Sequence, residues 1–183
     1  MSDQPAVRVF TIGHGTRPIE AFLALLERAG SRLLVDVRTA PGSRKNPQFG
    51  REALRRSVEE HGIAYEWIGK DLGGFREPRE GSRHTALVKE PFQGYADHMD
   101  TEAFRAALGR LIDLARERPT TILCAESVWW RCHRRMIADA LVASGCEVVH
   151  LMDEGAHPHE LHPNARIQDG RPVYDVGEQT RLV

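Results

Sequence analysis

The stretch VRVFTIGHGTRPIEAFLALLERAGSRLLVDVR, Val7–Arg38, decides the fold. Its apolar run Val7–Ile12 reads as a buried strand. The strand enters GHGTRP, a turn in which Thr16 is the expected N-cap and Pro18 falls in the first helical turn. Ile19, Phe22, Leu23 and Leu26 then recur at i, i+3, i+4 and i+7, which is one face of a helix, and Gly30 ends it. Arg32–Arg38 is a second apolar run, so the segment is strand, helix, strand.

The same alternation continues outward. A helix over Arg51–His61, closed by Gly62, precedes a third strand, Ala64–Ile68. FQGYADHM is a short helical stretch, and Thr101 caps a longer helix with Phe104, Leu108, Leu111, Ile112 and Ala115 on one face. Thr120–Ala125 is a fourth strand, the helix after it starts near Trp130, and Glu147–Met152 is a fifth strand. Strands separated by helices imply right-handed βαβ units and a three-layer α/β sandwich with a mainly parallel sheet of about five strands. Flavodoxin-like and Rossmann-like strand orders fit equally well. A single α/β domain over 1–183 is expected, with an irregular insertion at 69–91 and an extended polar tail at 153–183.

Composition limits the function classes. With 41% hydrophobic and 28% charged residues among 183, the chain is a globular one with enough length for a core. A net charge of −1 provides no global field towards nucleic acid or an anionic membrane. No apolar run is long enough for a bilayer span, and MSDQPAVRVF lacks the pattern of a secretory signal. Three cysteines do not make a disulfide framework, so a reducing, cytoplasmic setting is expected.

In open parallel sheets, ligands bind beyond the C-terminal strand ends. That rule selects His14 after the first strand, Asp36 and Arg38 after the second, and Cys124 and Glu126 after the fourth. It also places Arg131, Cys132, His133 and Arg134 in the first turn of the next helix, where free N–H groups and the helix dipole favour an anion. Arg38, Arg131 and Arg134 are therefore candidates for holding phosphate or carboxylate. Cys132, near a helix start and arginines, is expected to have thiolate character, while Cys124 is either reactive or a small core filler. His133 and His14 are candidate proton carriers, with Glu126 or Asp36 to orient the imidazole of His133. Glu126 is itself a candidate acid, base or nucleophile, or else an ion-pair partner of Arg131 or Arg134. Cys146 reads as structural.

Several signatures are missing. G-x-x-x-x-G-K-[ST] is absent, G-x-G-x-x-G does not follow the first strand, and no cofactor is expected. Six residues separate Cys124 from Arg131, one more than in a C-x5-R phosphatase loop. The spacing of Cys124, Cys132, His14 and Glu126 matches no zinc pattern, so no metal is assigned. The basic loop with Arg44, Lys45, Arg51, Arg55 and Arg56, together with Trp129 and Trp130, could hold a nucleotide or a single strand.

The blocks TIGHGTRPIEAFLALLERAG, LLVDVRTAPGSRKNPQF, FQGYADHM and CAESVWWRCHRRMIADAL resemble, in order, those of the domain-of-unknown-function-488 family, and PHELHPNARI resembles its C-terminal block. The resemblance runs roughly from Val7 to Val173, with Gly15 where the family pattern more often has Ser. It implies a small α/β fold and one rim made by His14, Asp36, Arg38, Tyr95, Cys124, Glu126, Cys132, His133 and Arg134. It implies no reaction. Three readings follow from the residues. The first is an enzyme of hydrolysis or group transfer on an anionic, nucleotide-like substrate. The second is a nucleotide or nucleic-acid binding module, and the third is a cysteine-based redox or metal protein.

Overall fold

The computed structural model describes residues 6–177. The described residues form eight strands: β1 (Arg8–Gly13), β2 (Leu33–Asp36), β3 (Ala64–Trp67), β4 (Thr120–Cys124), β5 (Glu147–Met152), β6 (Gly155–Pro158), β7 (Ala165–Gln168) and β8 (Arg171–Tyr174). The helices are α1 (Ile19–Arg28), α2 (Arg51–Glu60), α3 (Gly69–Leu72), α4 (Glu90–Met99), α5 (Glu102–Glu117) and α6 (Arg134–Ala143).

The first six strands form one sheet in the order β3-β2-β4-β1-β5-β6, parallel except for β6, which runs antiparallel to β5. Helices cover both faces, so the molecule is a three-layer α/β sandwich. The order of the parallel strands is neither the flavodoxin-like nor the Rossmann-like one, because β4 inserts between β1 and β2. Side-chain alternation builds the two cores. Ile12, Leu34 and Leu123 face Phe22 and Leu26 of α1 and Leu54 and Val58 of α2. Val9, Val35, Ile122 and Val148 face Tyr95 of α4, Phe104 of α5, and Ile137 and Leu141 of α6.

This order fixes the site. The chain leaves β1 for α1 on one face and leaves β4 for α6 on the other. The adjacent strands β1 and β4 therefore diverge at their C-terminal ends, which is where an open α/β sheet forms its crevice.

Four local expectations are corrected. Thr16 does not cap α1; Pro18 occupies that position without a side-chain bond, because its fixed φ of −58° already leads into the helix. The helix after β4 starts at Arg134 rather than Trp130. A short 3-10 turn at Trp129–Arg131 and an extended Cys132 (φ −124°, ψ 150°) precede it, so Arg131 and Cys132 lie outside the first helical turn. The insertion at 69–91 opens with α3 and ends in α4. The polar tail is not simply extended: β6 lengthens the sheet, and β7 and β8 form a hairpin whose Val173 and Tyr174 are buried.

Candidate functional site

A cleft of about 670 Å³ opens between the ends of β1 and β4, a size suited to a small-molecule ligand. Its walls come from the turn after β1, the basic loop after β2, the segment after α3, the start of α4 and the turn before α6. Gly13 permits the construction. A Cβ there would lie 1.7 Å from the Glu126 carbonyl oxygen and 2.7 Å from Arg134 Nη1, so only glycine lets the β4–α6 turn close over β1.

Cys124 and Cys132, eight residues apart, both line the cleft, close enough that each shifts the other's titration, and the Cys124 sulfur donates to the Glu126 carbonyl at 3.8 Å. They are the two buried thiols of the site, 1% and 5% exposed. The Cys132 sulfur accepts the Arg134 N–H at 3.4 Å and lies 3.5 Å from His133 Nδ1. His133 Nε2 is 3.3 Å from the Val37 carbonyl, which can only accept, so Nε2 carries the ring proton and Nδ1 is the acceptor facing Cys132. Burial, reinforced by Arg134 and Arg76, lowers the His133 pKa to about 4 against the pull of its Val37 bond, so the ring is neutral at neutral pH.

Arg134 lies behind the thiols, fully buried. Its Nε and Nη1 meet no hydrogen-bond partner, and Nη2 reaches only the Ser127 carbonyl, at 3.4 Å. No carboxylate pairs with it among the described residues. A buried guanidinium without a counter-ion is costly, and the nearby thiol pair can supply the negative charge. Burial pushes the Cys124 thiol up, but the neighbouring Cys132 thiol and the Arg134 charge outweigh it and bring Cys124 to about 7. Burial and the neighbouring Cys124 thiol hold Cys132 well above the ordinary thiol value. The pair loses its first proton easily and its second with difficulty.

The other expected residues divide into those that face ligand space and those committed to structure. His14 lines the cleft, stacked on Phe49 at 4.5 Å. Its Nδ1 donates to the Gly15 carbonyl at 2.8 Å, which leaves Nε2 as the basic nitrogen, and burial lowers its pKa. Glu126 is exposed at the mouth and forms no ion pair with Arg131 or Arg134 among the described residues. Arg131 is likewise exposed on the cleft wall. Asp36 and Arg38, by contrast, grip each other. Arg38 Nε and Nη2 reach the two carboxylate oxygens at 2.9 and 2.6 Å, while Nη1 donates to the Phe49 carbonyl at 2.8 Å. Tyr65 donates its hydroxyl to the same carboxylate at 2.5 Å. Arg38 thus borders the cleft with most of its donors already engaged. Tyr95 is buried, donates to the Leu72 carbonyl at 2.7 Å and packs its ring 5.1 Å from that of His133. It positions His133 from below.

Sequence reasoning missed Phe75, Thr39, Ser43, Asn46 and Phe92 of the lining. All but Phe92 belong to irregular segments, whose residues carry no periodicity; the Gly73–Gly74 pair before Phe75 was the available signal.

A family model described as Domain of unknown function DUF488 matches residues 18–141, more than half of the chain. The chain belongs to this family. The DUF488 match contains the thiol pair, His133 and the three arginines of the rim, begins beyond His14, and ends within α6 before the C-terminal strands. No curated protein and no solved structure matches. Among the described residues, no group of three or more His, Cys, Asp or Glu is arranged to hold a metal ion, and no helix is long and apolar enough to cross a membrane.

Proposed function

We propose that this protein is a thiol-dependent enzyme of hydrolysis or group transfer, acting on an anionic, nucleotide-like substrate in the cleft between β1 and β4. The observation that carries the reading is the two buried thiols, Cys124 and Cys132, in one cleft with the buried Arg134 guanidinium, which no carboxylate pairs with among the described residues. A permanent cation next to two thiols stabilises a thiolate, which is the nucleophilic form.

Cys132, the less buried sulfur, keeps its proton at rest beside the Cys124 thiolate and passes it to His133 Nδ1, 3.5 Å away, as it attacks. The thiolate bonds to the electrophilic centre of the substrate as the bond to the leaving group breaks. The leaving group takes the proton from His133. Water, deprotonated by His14, or a second acceptor then displaces the sulfur and restores the thiol. Arg131, Arg44 and Lys45, exposed on the walls, supply charge for the anionic part of the substrate. Glu126 keeps a supporting role at the mouth, since nothing around it activates it as a nucleophile.

The test uses Cys132→Ser and Glu126→Gln separately, with product formation followed by chromatography over a panel of nucleoside phosphates. The expected result is loss of turnover in the first variant and its retention in the second. Unchanged turnover in Cys132→Ser rejects the mechanism. Salt-sensitive nucleotide binding without turnover in the wild type would instead make the protein a binding module.

A further inference from the structure

Phe75 is 93% exposed, yet it lines the cleft and adopts φ of 59°, a left-handed backbone state that a bulky residue occupies only under strain. Its neighbours hold it there. Thr39 Oγ1 donates to the Gly74 carbonyl at 3.0 Å, and Arg76 donates through Nε to the Gly73 carbonyl at 3.2 Å and through Nη2 to that of Lys70 at 2.6 Å. Gly73 is wedged so tightly that a Cβ would lie 2.3 Å from both the Gly69 oxygen and Thr39 Oγ1. Gly74 approaches the reactive centre, since its Cβ would lie 3.3 Å from His133 Nδ1. The chain thus fixes an aromatic ring in solvent, one residue from the His133 ring, on a backbone anchored on both sides. Folding gains nothing from that ring, because it packs against almost nothing.

The loop after β2 brings Arg44 and Lys45 to the same cleft, both exposed and neither in an ion pair among the described residues. An aromatic face and free cations in one cleft are complementary to a planar base that carries a phosphate, because bases stack on aromatic rings and phosphates seek Arg and Lys.

We infer that Phe75 is the specificity-determining residue of the cleft, the platform on which the base of a nucleotide stacks while its phosphate meets the Arg44–Lys45 loop. The inference rests on the anionic-substrate reading and adds to it the requirement for a base. The same chemistry occurs in a free mononucleotide and in the terminal nucleotide of a single strand.

Calorimetric titration with three probes tests it: adenosine monophosphate, ribose 5-phosphate and a short single-stranded oligothymidylate. Wild type, Phe75→Ala and Phe75→Tyr are compared, with thermal unfolding to confirm that each folds. Phe75→Ala is expected to weaken the base-bearing probe on the order of tenfold or more, and Phe75→Tyr to retain it, as stacking requires. Ribose 5-phosphate, which has no base, should bind wild type and Phe75→Ala alike. Phe75-dependent binding of the mononucleotide or of the oligonucleotide supports the inference and identifies the source. Equal affinity of wild type and Phe75→Ala for every base-bearing probe overturns the stacking role but leaves the anionic-substrate reading intact. An equal loss of ribose 5-phosphate binding in Phe75→Ala also overturns it, because the residue would then only shape the loop. Failure of all three probes to bind wild type overturns both.

Discussion

His159 lies 2.8 Å from Asp139 through Nε2 and Oδ1, and neither side chain is exposed. The contact joins the tail to α6. Asp139 also accepts the Tyr174 hydroxyl at 2.7 Å and the His162 N–H at 3.1 Å. From His159 the hydrogen bonds run on through His150 at 2.9 Å to Thr11 of β1 at 2.6 Å. One carboxylate thereby ties the segment between β6 and β7, through His159 and His162, and β8, through Tyr174, to the helix whose first residue is Arg134.

Asp139→Ala would leave three buried donors without an acceptor. It is expected to destabilise the fold by about 3 kcal/mol or more, as the loss of one partner from a buried charged network does. Urea unfolding followed by fluorescence measures this. A loss well under about 1 kcal/mol, the size of an ordinary surface effect, would show that the tail is held by packing alone.

Acid should unfold the protein early. Burial lowers the pKa of His150 to about 2, helped by His159 and Arg134, and that of His162 to about 4, helped by Arg135. Both are depressed below the ordinary 6.5, so the unfolded chain binds more protons in the interval. Their stabilising contribution is complete above pH 6.5 and is lost as pH falls towards the folded values. Each histidine removes roughly 1.4 kcal/mol per pH unit across that window. Asp100 extends the loss below 3.8: burial raises its pKa, but bonds from His84 and Arg83 outweigh this and bring it to about 2. Denaturant midpoints measured from neutral pH to about pH 4 should fall steeply below 6.5, and a flat profile would contradict the burial of these rings.

Arg134→Met should remove the cation that favours the thiolate. The pH midpoint of iodoacetamide alkylation at the thiol pair is expected to rise from about 7 towards the ordinary 9.0, because burial would then act without the guanidinium to oppose it. Peptide mapping by mass spectrometry assigns the modified sulfur. An unshifted midpoint would remove Arg134 as the counter-ion, while a change in stability alone would not move the profile.

Much of this arrangement was legible in the sequence, for physical reasons that also mark where legibility stops. Strand and helix periods are local, so Val7–Ile12 and the face of Ile19, Phe22 and Leu26 announced their elements directly. The strand-end rule then reached His14, Cys124 and Glu126 with no knowledge of strand order. The order itself depends on which strands pair at long range, and no local pattern records the insertion of β4 between β1 and β2. Burial separates residues that composition treats alike. Arg38, Arg131 and Arg134 looked equivalent, yet one is locked to Asp36, one is exposed on the wall, and one is sealed behind the thiols. The polar tail read as extended because the partners of His159 and His162, namely Asp139 and His150, lie elsewhere in the chain.

Phe75→Gly should separate stability from binding. Glycine adopts a φ of 59° without a steric penalty, and the ring it removes makes almost no contact in the fold. Relief of left-handed strain is of order 1 kcal/mol or more, partly offset by the greater freedom of glycine in the unfolded chain. The urea midpoint is therefore expected to hold or rise slightly, while affinity for adenosine monophosphate falls as in Phe75→Ala. A residue that costs stability where it stands and contributes only when a ligand arrives gives this opposed pair of changes. A lower midpoint would instead mean that Phe75 supports the loop, and the strain at φ 59° would then need another explanation.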